Sequence, residues 1–142
     1  RQVWLEVVIT DDKGRELKRS GTLDERNELP YDTTIFNSHA VDRNGMDTLL
    51  PWEIARFTEV TTIPPKGYKY GKYYFNVPED ATSLNVVAKL HYRSFSQGLA
   101  DLLLGEGAVT VPSVEMNLVE KTFDMHQLKE VKKPKVAMAD PQ

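Results

Sequence analysis

The fold is decided by residues 63–95, which contain the segments YKYGKYYFNV (residues 68–77) and LNVVAKLHYRSF (residues 84–95). The first segment is dense in aromatic residues, which favour the pleated surface of a β-strand. In the second segment apolar and polar residues alternate, with His91 and Arg93 on the polar side. Because turn-forming residues separate the two segments, this stretch predicts an antiparallel hairpin with one face on the core and the other in water.

The same alternation predicts the orientation of individual side chains. In residues 84–95 the apolar face is formed by Leu84, Val86, Ala88, Leu90 and Tyr92. In residues 68–77 one face carries Tyr73, Phe75 and Val77, and the other carries Tyr74 and Asn76.

Further strands are predicted on both sides of this hairpin. Residues 3–10 form a β-branched run that ends at a turn with Gly14, and residues 15–20 are its predicted partner. Shorter extended segments are predicted at residues 33–37 and 59–63, and a final strand at residues 113–123. Asn44-Gly45 predicts a hairpin turn, which is favoured over a calcium loop because the spacing and terminal glutamate of an EF-hand are missing.

One short helix is predicted near residues 96–104. Leu99, Leu102 and Leu103 have helical spacing, Ser94 or Ser96 is the predicted N-cap, and Gly105 ends the segment. The overall prediction is a mainly β chain with an antiparallel, immunoglobulin-like β-sandwich. Residues 1–127 would form this single domain, and residues 128–142 a basic C-terminal tail.

Composition restricts the possible functions. The 142 residues carry a formal net charge of −3, which argues against nucleic-acid binding, and no stretch is apolar for long enough to span a bilayer. The absence of cysteine excludes disulfides, thiolate metal sites and attachment of haem c to this chain. The chain starts at Arg1 without methionine, two residues before a predicted strand, so we expect a processed product or an excised domain.

No motif for catalysis is recognisable in the sequence. A nucleophile elbow and a zinc-binding helix are both missing. His39 and His126 are candidate axial ligands for a haem, although isolated histidines more often lie at the surface or in ordinary hydrogen bonds. Tyr68, Tyr70 and Tyr74 are candidates for an interaction surface, because aromatic rings with a polar tip suit contacts with sugars and proteins. Packing in the core or between strands is the favoured interpretation of these tyrosines.

Several fragments, taken in order, resemble the C-terminal β-sandwich domain of bacterial multihaem c-type cytochromes. The fragments are VWLEV at residues 3–7 with Asp11 and Gly14, SGTLD at 20–24, DRNG at 42–45, TIPP at 62–65, YFNVP at 74–78 and LHYRSF at 90–95. The resemblance covers about residues 3–116, and the haem-binding residues of that family match no position here.

The resemblance implies a haem-free structural or docking module of an extracytoplasmic electron-transfer system, without catalysis of its own. Its partner would be the haem-bearing region or a multihaem cytochrome subunit, which holds haem c, and self-assembly through exposed sheet edges is a further possibility. The periplasm or the cell surface would be its location. The alternatives are a free-standing adhesion or carbohydrate-binding sandwich and, third, an enzyme that acts through His39 or His126.

Overall fold

The computed structural model describes residues 1–129, which contain seven strands and two short helices. In chain order they are β1 (Gln2–Asp11), β2 (Glu16–Ser20), β3 (Thr34–Ile35), β4 (Ser38–Val41), β5 (Arg56–Val60), β6 (Ser83–Arg93), α1 (Gln97–Leu104), β7 (Val114–Asp124) and α2 (Met125–Lys129). The prediction of a mainly β chain is confirmed.

The strands form two antiparallel sheets. The larger sheet has the order β2-β1-β6-β7, and β3 pairs with β1 beside β2. The smaller sheet consists of β4 and β5. Two antiparallel sheets are consistent with a sandwich-like fold, but this strand order does not confirm the immunoglobulin type.

β1 lies at the centre of the larger sheet. β6 pairs with it over ten positions, from Gln2 opposite Arg93 to Asp11 opposite Leu84, while β2 and β3 share its other edge. Three residues of β1 are buried, Trp4 on one face of the sheet and Val7 and Ile9 on the other. Burial therefore concentrates on the central strand and decreases toward the edge of the sheet.

The prediction of a strand at residues 68–77 is wrong. This segment forms no ladder, because β6, its predicted partner, already pairs with β1 on one side and β7 on the other. The predicted alternation nevertheless persists, since Tyr73, Phe75 and Val77 are half-buried while Tyr74 and Asn76 are exposed. Side chains hold the segment in place instead, as when Tyr73 Oη donates a hydrogen bond of 3.0 Å to Thr34 Oγ1.

The orientation predicted for Arg93 is also wrong, because its guanidinium is buried. Its Nε donates to Gln2 Oε1 at 2.6 Å, its Nη1 donates to the Asn27 carbonyl at 2.7 Å, and its Cζ lies 5.4 Å from the Trp4 ring centroid. Burial lowers the pKa of Arg93, and the nearby carboxylate of Glu28 opposes this effect. The polar face of β6 is thus buried near Arg93, where the Trp4 ring and residues 27–28 surround the guanidinium.

A second polar cluster lies next to Arg93 on the same face, around His91. The rings of Trp4 and His91 are stacked, with centroids 5.1 Å apart. His91 Nε2 lies 2.7 Å from Glu6 Oε2, and Thr22 Oγ1 donates to Glu6 Oε1 at 3.0 Å. All of these groups have hydrogen-bond partners inside the protein, so the cluster serves the packing of Trp4.

The first hairpin is confirmed, including the turn at Gly14, whose φ is +76°. The buried carboxylate of Asp11 accepts hydrogen bonds from the backbone N–H groups of Lys13 and Arg15, at 2.9 and 2.8 Å. Asp80, from the loop before β6, pairs with both Lys13 and Arg15. The Asp80 carboxylate therefore fastens this loop to the hairpin.

Replacing Asp80 by Asn should make the stability of the hairpin less dependent on pH. Hydrogen bonds from Arg15 and Lys13 lower the pKa of Asp80 from its ordinary value of 3.8 to about 2. A carboxyl whose pKa is lower in the folded state stabilises the fold above its unfolded pKa, and this contribution is lost as the pH falls toward the folded pKa. We expect wild type to be more stable than Asp80→Asn at pH 6 and the difference to shrink between pH 4 and pH 2, measured by urea unfolding. A difference that is constant from pH 6 to pH 2 would contradict this role of Asp80.

The predicted helix is confirmed as α1. Ser96 is its N-cap, with Oγ accepting the Leu99 N–H at 3.2 Å, and Gly105 follows the last turn. The final strand is confirmed as β7. α2 was not predicted, and it includes the first two residues of the proposed tail, whereas residues 130–142 lie outside the described part of the chain.

Candidate functional site

The outer edge of β7 is the longest unpaired strand edge in residues 1–129. β7 has eleven residues and pairs with β6 on its inner side only. An unpaired strand presents a row of N–H and C=O groups that can pair with another chain. This edge is therefore a candidate site for the addition of a strand.

Apolar side chains are exposed on both faces of β7. Every residue of the strand except Phe123 is exposed, and the exposed fractions of Leu118 and Val119 at its centre are 46% and 56%. Leu118 lies opposite Lys89 of β6 and Val119 opposite Ala88, so the two side chains point to different faces of the sheet. Unlike β1, this strand leaves its apolar side chains in water.

A β-bulge interrupts β7 near its start. Leu90 of β6 lies opposite Asn117, but His91 lies opposite Glu115, so Met116 is the extra residue. The bulge keeps Glu115 on the face of His91, where its carboxylate lies 3.3 Å from Lys89 Nζ. Residues 117–124 are the regular part of the edge.

The three candidate tyrosines are exposed, so the favoured interpretation of packing is wrong for them. Their exposed fractions are 71% for Tyr68, 77% for Tyr70 and 84% for Tyr74. The rings of Tyr68 and Tyr70 lie against each other, with centroids 5.0 Å apart and planes tilted by 55°. The structure thus brings two of the three together as a small aromatic surface.

The candidate histidines lie on different elements. His39 is exposed on β4 and lines a cleft of about 590 Å³ between the smaller sheet and α1, together with Ile54, Phe57 and Leu99. His126 is exposed on α2, next to the end of β7. Within the described chain, His, Asp and Glu side chains form no group of three or more that could hold a metal ion.

A second cleft, of about 690 Å³, lies beside the start of α1. Its carboxylates come from Asp24, Glu25, Glu28, Asp101 and Glu106, and Arg26 is also at its wall. Gln97 at its base is buried and hydrogen-bonded to Asn27, Asp101, Val109 and Val111. The side chain of Gln97 is therefore satisfied within the protein and ties the loops of this cleft together.

Sequence reasoning predicted β7 as a strand but missed its unpaired edge. The alternation of apolar and polar residues in β7 is the same whether one side of the strand is paired or both are. The exposed Leu118 and Val119 therefore carried no signal that could have distinguished an edge from a central position.

Among the residues described, no helix has the length and apolar character needed to cross a bilayer. Comparisons with family models, curated proteins and solved structures found no match for this chain. Nothing in them identifies the chain as part of a multihaem cytochrome.

Proposed function

We propose that this chain is a haem-free docking module of an extracytoplasmic multihaem cytochrome system and has no catalysis of its own. The observation that carries the docking role is the unpaired edge of β7 with its exposed apolar side chains. The haem-bearing partner and the extracytoplasmic location rest on the resemblance of residues 3–116 alone.

Strand addition is the binding mode that the β7 edge supports. The backbone of an incoming strand would supply the hydrogen bonds, and its side chains would contact those of β7 on both faces. Leu118 and Val119 would be covered from the two sides of the sheet, which would remove their apolar surface from water. Charged residues on the edge, such as Glu120 and Lys121, would then select the partner and the register.

Replacing Val119 by Lys should abolish the capture of a haem-bearing partner. We would immobilise the chain, expose it to an extracytoplasmic extract of the source cells and detect haem in the bound proteins by a haem-stained gel. Wild type should retain a haem-positive protein, and Val119→Lys should lose it because a charge would be placed in the covered apolar surface.

Leu103→Lys is the matched control, since Leu103 is exposed to a similar extent but lies on α1. Retention of haem by wild type and by this control, with loss in Val119→Lys, supports the proposal. No haem-positive protein on wild type, or equal retention by Val119→Lys, contradicts it.

A second candidate function is adhesion or carbohydrate binding, favoured by the exposed pair of Tyr68 and Tyr70. Aromatic faces with hydroxyl tips can stack on a sugar ring and hydrogen-bond to it. Binding to a glycan array that is lost in the double variant Tyr68→Ala, Tyr70→Ala would support this function. An array without any bound glycan would contradict it.

A further inference from the structure

We propose, on the basis of the docking function above, that the strand added at the β7 edge comes from a second copy of the same chain, carried by the haem-bearing protein or complex that docks there. Two β7 strands then pair in antiparallel orientation around a two-fold axis. The charges and apolar side chains of β7 are compatible with this self-pairing in one register.

The face of each β7 side chain is fixed by its neighbour on β6. Val119 lies opposite Ala88, Phe123 opposite Leu84 and, beyond the bulge, Val114 opposite Tyr92. Ala88, Leu84 and Tyr92 are separated by even numbers of residues on one strand, so all three β7 side chains lie on the same face. A two-fold axis perpendicular to the sheet keeps this face on the same side in both copies.

The residue at the axis sets the register of the pair. Placing the axis at Leu118, Glu120, Lys121 or Thr122 brings like charges directly opposite: Glu115 and Glu120, Glu120 and Glu120, Lys121 and Lys121, or Glu120 and Asp124, respectively. Like charges directly opposite each other destabilise a strand pair. Among the five positions from 118 to 122, the axis at Val119 is free of such a pair.

The register centred on Val119 also brings apolar side chains together. Val119 of one copy lies opposite Val119 of the other, Leu118 lies opposite Glu120, and Asn117 lies opposite Lys121. Beyond the bulge, Val114 lies opposite Phe123 of the other copy on the same face as Val119. Charge and apolar surface therefore favour the same register.

Self-pairing would join the two larger sheets into one. The order would become β2-β1-β6-β7 followed by the same four strands in reverse, which is eight strands in the path. Sheets of this width are common in proteins. The outer β7 edge of each copy would then be paired, so neither copy would expose this long edge.

The absence of native cysteine allows a direct test with single-cysteine variants. Val119→Cys places two thiols opposite each other across the axis, within reach of a disulfide. Asn117→Cys is the matched control on the same strand and face, because its two thiols would be four residues apart along the strands, about 13 Å. Under copper-phenanthroline and air, Val119→Cys should form a covalent dimer at least tenfold faster than Asn117→Cys. Equal rates for the two variants would overturn the proposed register.

The oligomeric state tests the same inference without a cysteine. Light scattering after size exclusion should give twice the chain mass for wild type at high concentration. Val119→Lys should be monomeric because it places two ammonium groups opposite each other, whereas Leu102→Lys on α1 should remain dimeric. A wild-type chain that is monomeric but still captures a haem-bearing protein would overturn self-pairing and leave the docking function standing. A dimer that captures no haem-bearing protein would support self-pairing and contradict the docking function.

Discussion

Replacing Trp4 by Ala is expected to lower the free energy of unfolding by about 3–5 kcal/mol. Trp4 is 1% exposed, its ring stacks on His91 and lies under Arg93, and its Nε1 donates to the Gly21 carbonyl at 2.9 Å. Truncation would leave a cavity near the start of β1 and a buried guanidinium without its aromatic neighbour. Urea unfolding followed by far-UV circular dichroism measures the loss.

Trp52→Ala is the control for this substitution. Trp52 is 69% exposed, so removing its ring should change the free energy of unfolding by less than about 0.5 kcal/mol. Similar losses for the two variants would contradict the role of Trp4 as a fully buried side chain that stabilises the fold.

Replacing Gly21 by Ala is expected to destabilise the protein at least about 2 kcal/mol more than the same change at Gly14. Both residues have positive φ, +78° and +76°, so both variants bear the same conformational cost. A Cβ at Gly21 would lie 2.3 Å from the Leu5 carbonyl oxygen, whereas a Cβ at Gly14 would meet nothing within 4 Å. The larger loss at Gly21 would come from the displacement of β1.

Gly14→Ala thus separates the cost of backbone strain at positive φ from the cost of steric crowding. It should cost about 1–2 kcal/mol, the usual penalty for a side chain in the left-handed region. Urea unfolding of both variants, monitored by tryptophan fluorescence, gives the comparison. Equal losses at the two positions would show that Gly21 does not approach β1 as closely as described.

The local signals of the sequence predicted the first hairpin, α1 and β7. Each depends on residues close in the chain: Gly14 supplies the positive φ of the turn, Ser96 caps the helix, and alternation marks residues 114–124 as a strand. Such features follow from backbone and side-chain preferences that do not need the rest of the fold.

The pairing of strands could not be predicted in the same way. Residues 68–77 have the composition of a strand, but β6 pairs with β1, some eighty residues earlier in the chain, and with β7, about thirty residues later. Proximity in sequence favoured a hairpin, and long-range packing of the apolar β1 against β6 prevailed.

The buried Arg93 shows a related limit. Its position in the alternation of β6 predicted that the side chain is exposed. Trp4 of β1 lies on the same face, however, and the guanidinium is buried next to its ring. Whether a polar face is exposed depends on which side chains of the neighbouring strand lie on the same face. The register of the strand pair determines which side chains these are. The unpaired edge of β7 could not be predicted for the same reason.

Isolation of the native protein tests the central claim most directly. The protein would be purified from its source under mild conditions, followed by a haem-stained gel and an intact mass of the band that contains this sequence. The docking proposal predicts a haem-positive assembly, either as a complex that copurifies with the chain or as a polypeptide much heavier than 16.2 kDa. A haem-free species of 16.2 kDa without a haem-bearing partner would contradict it.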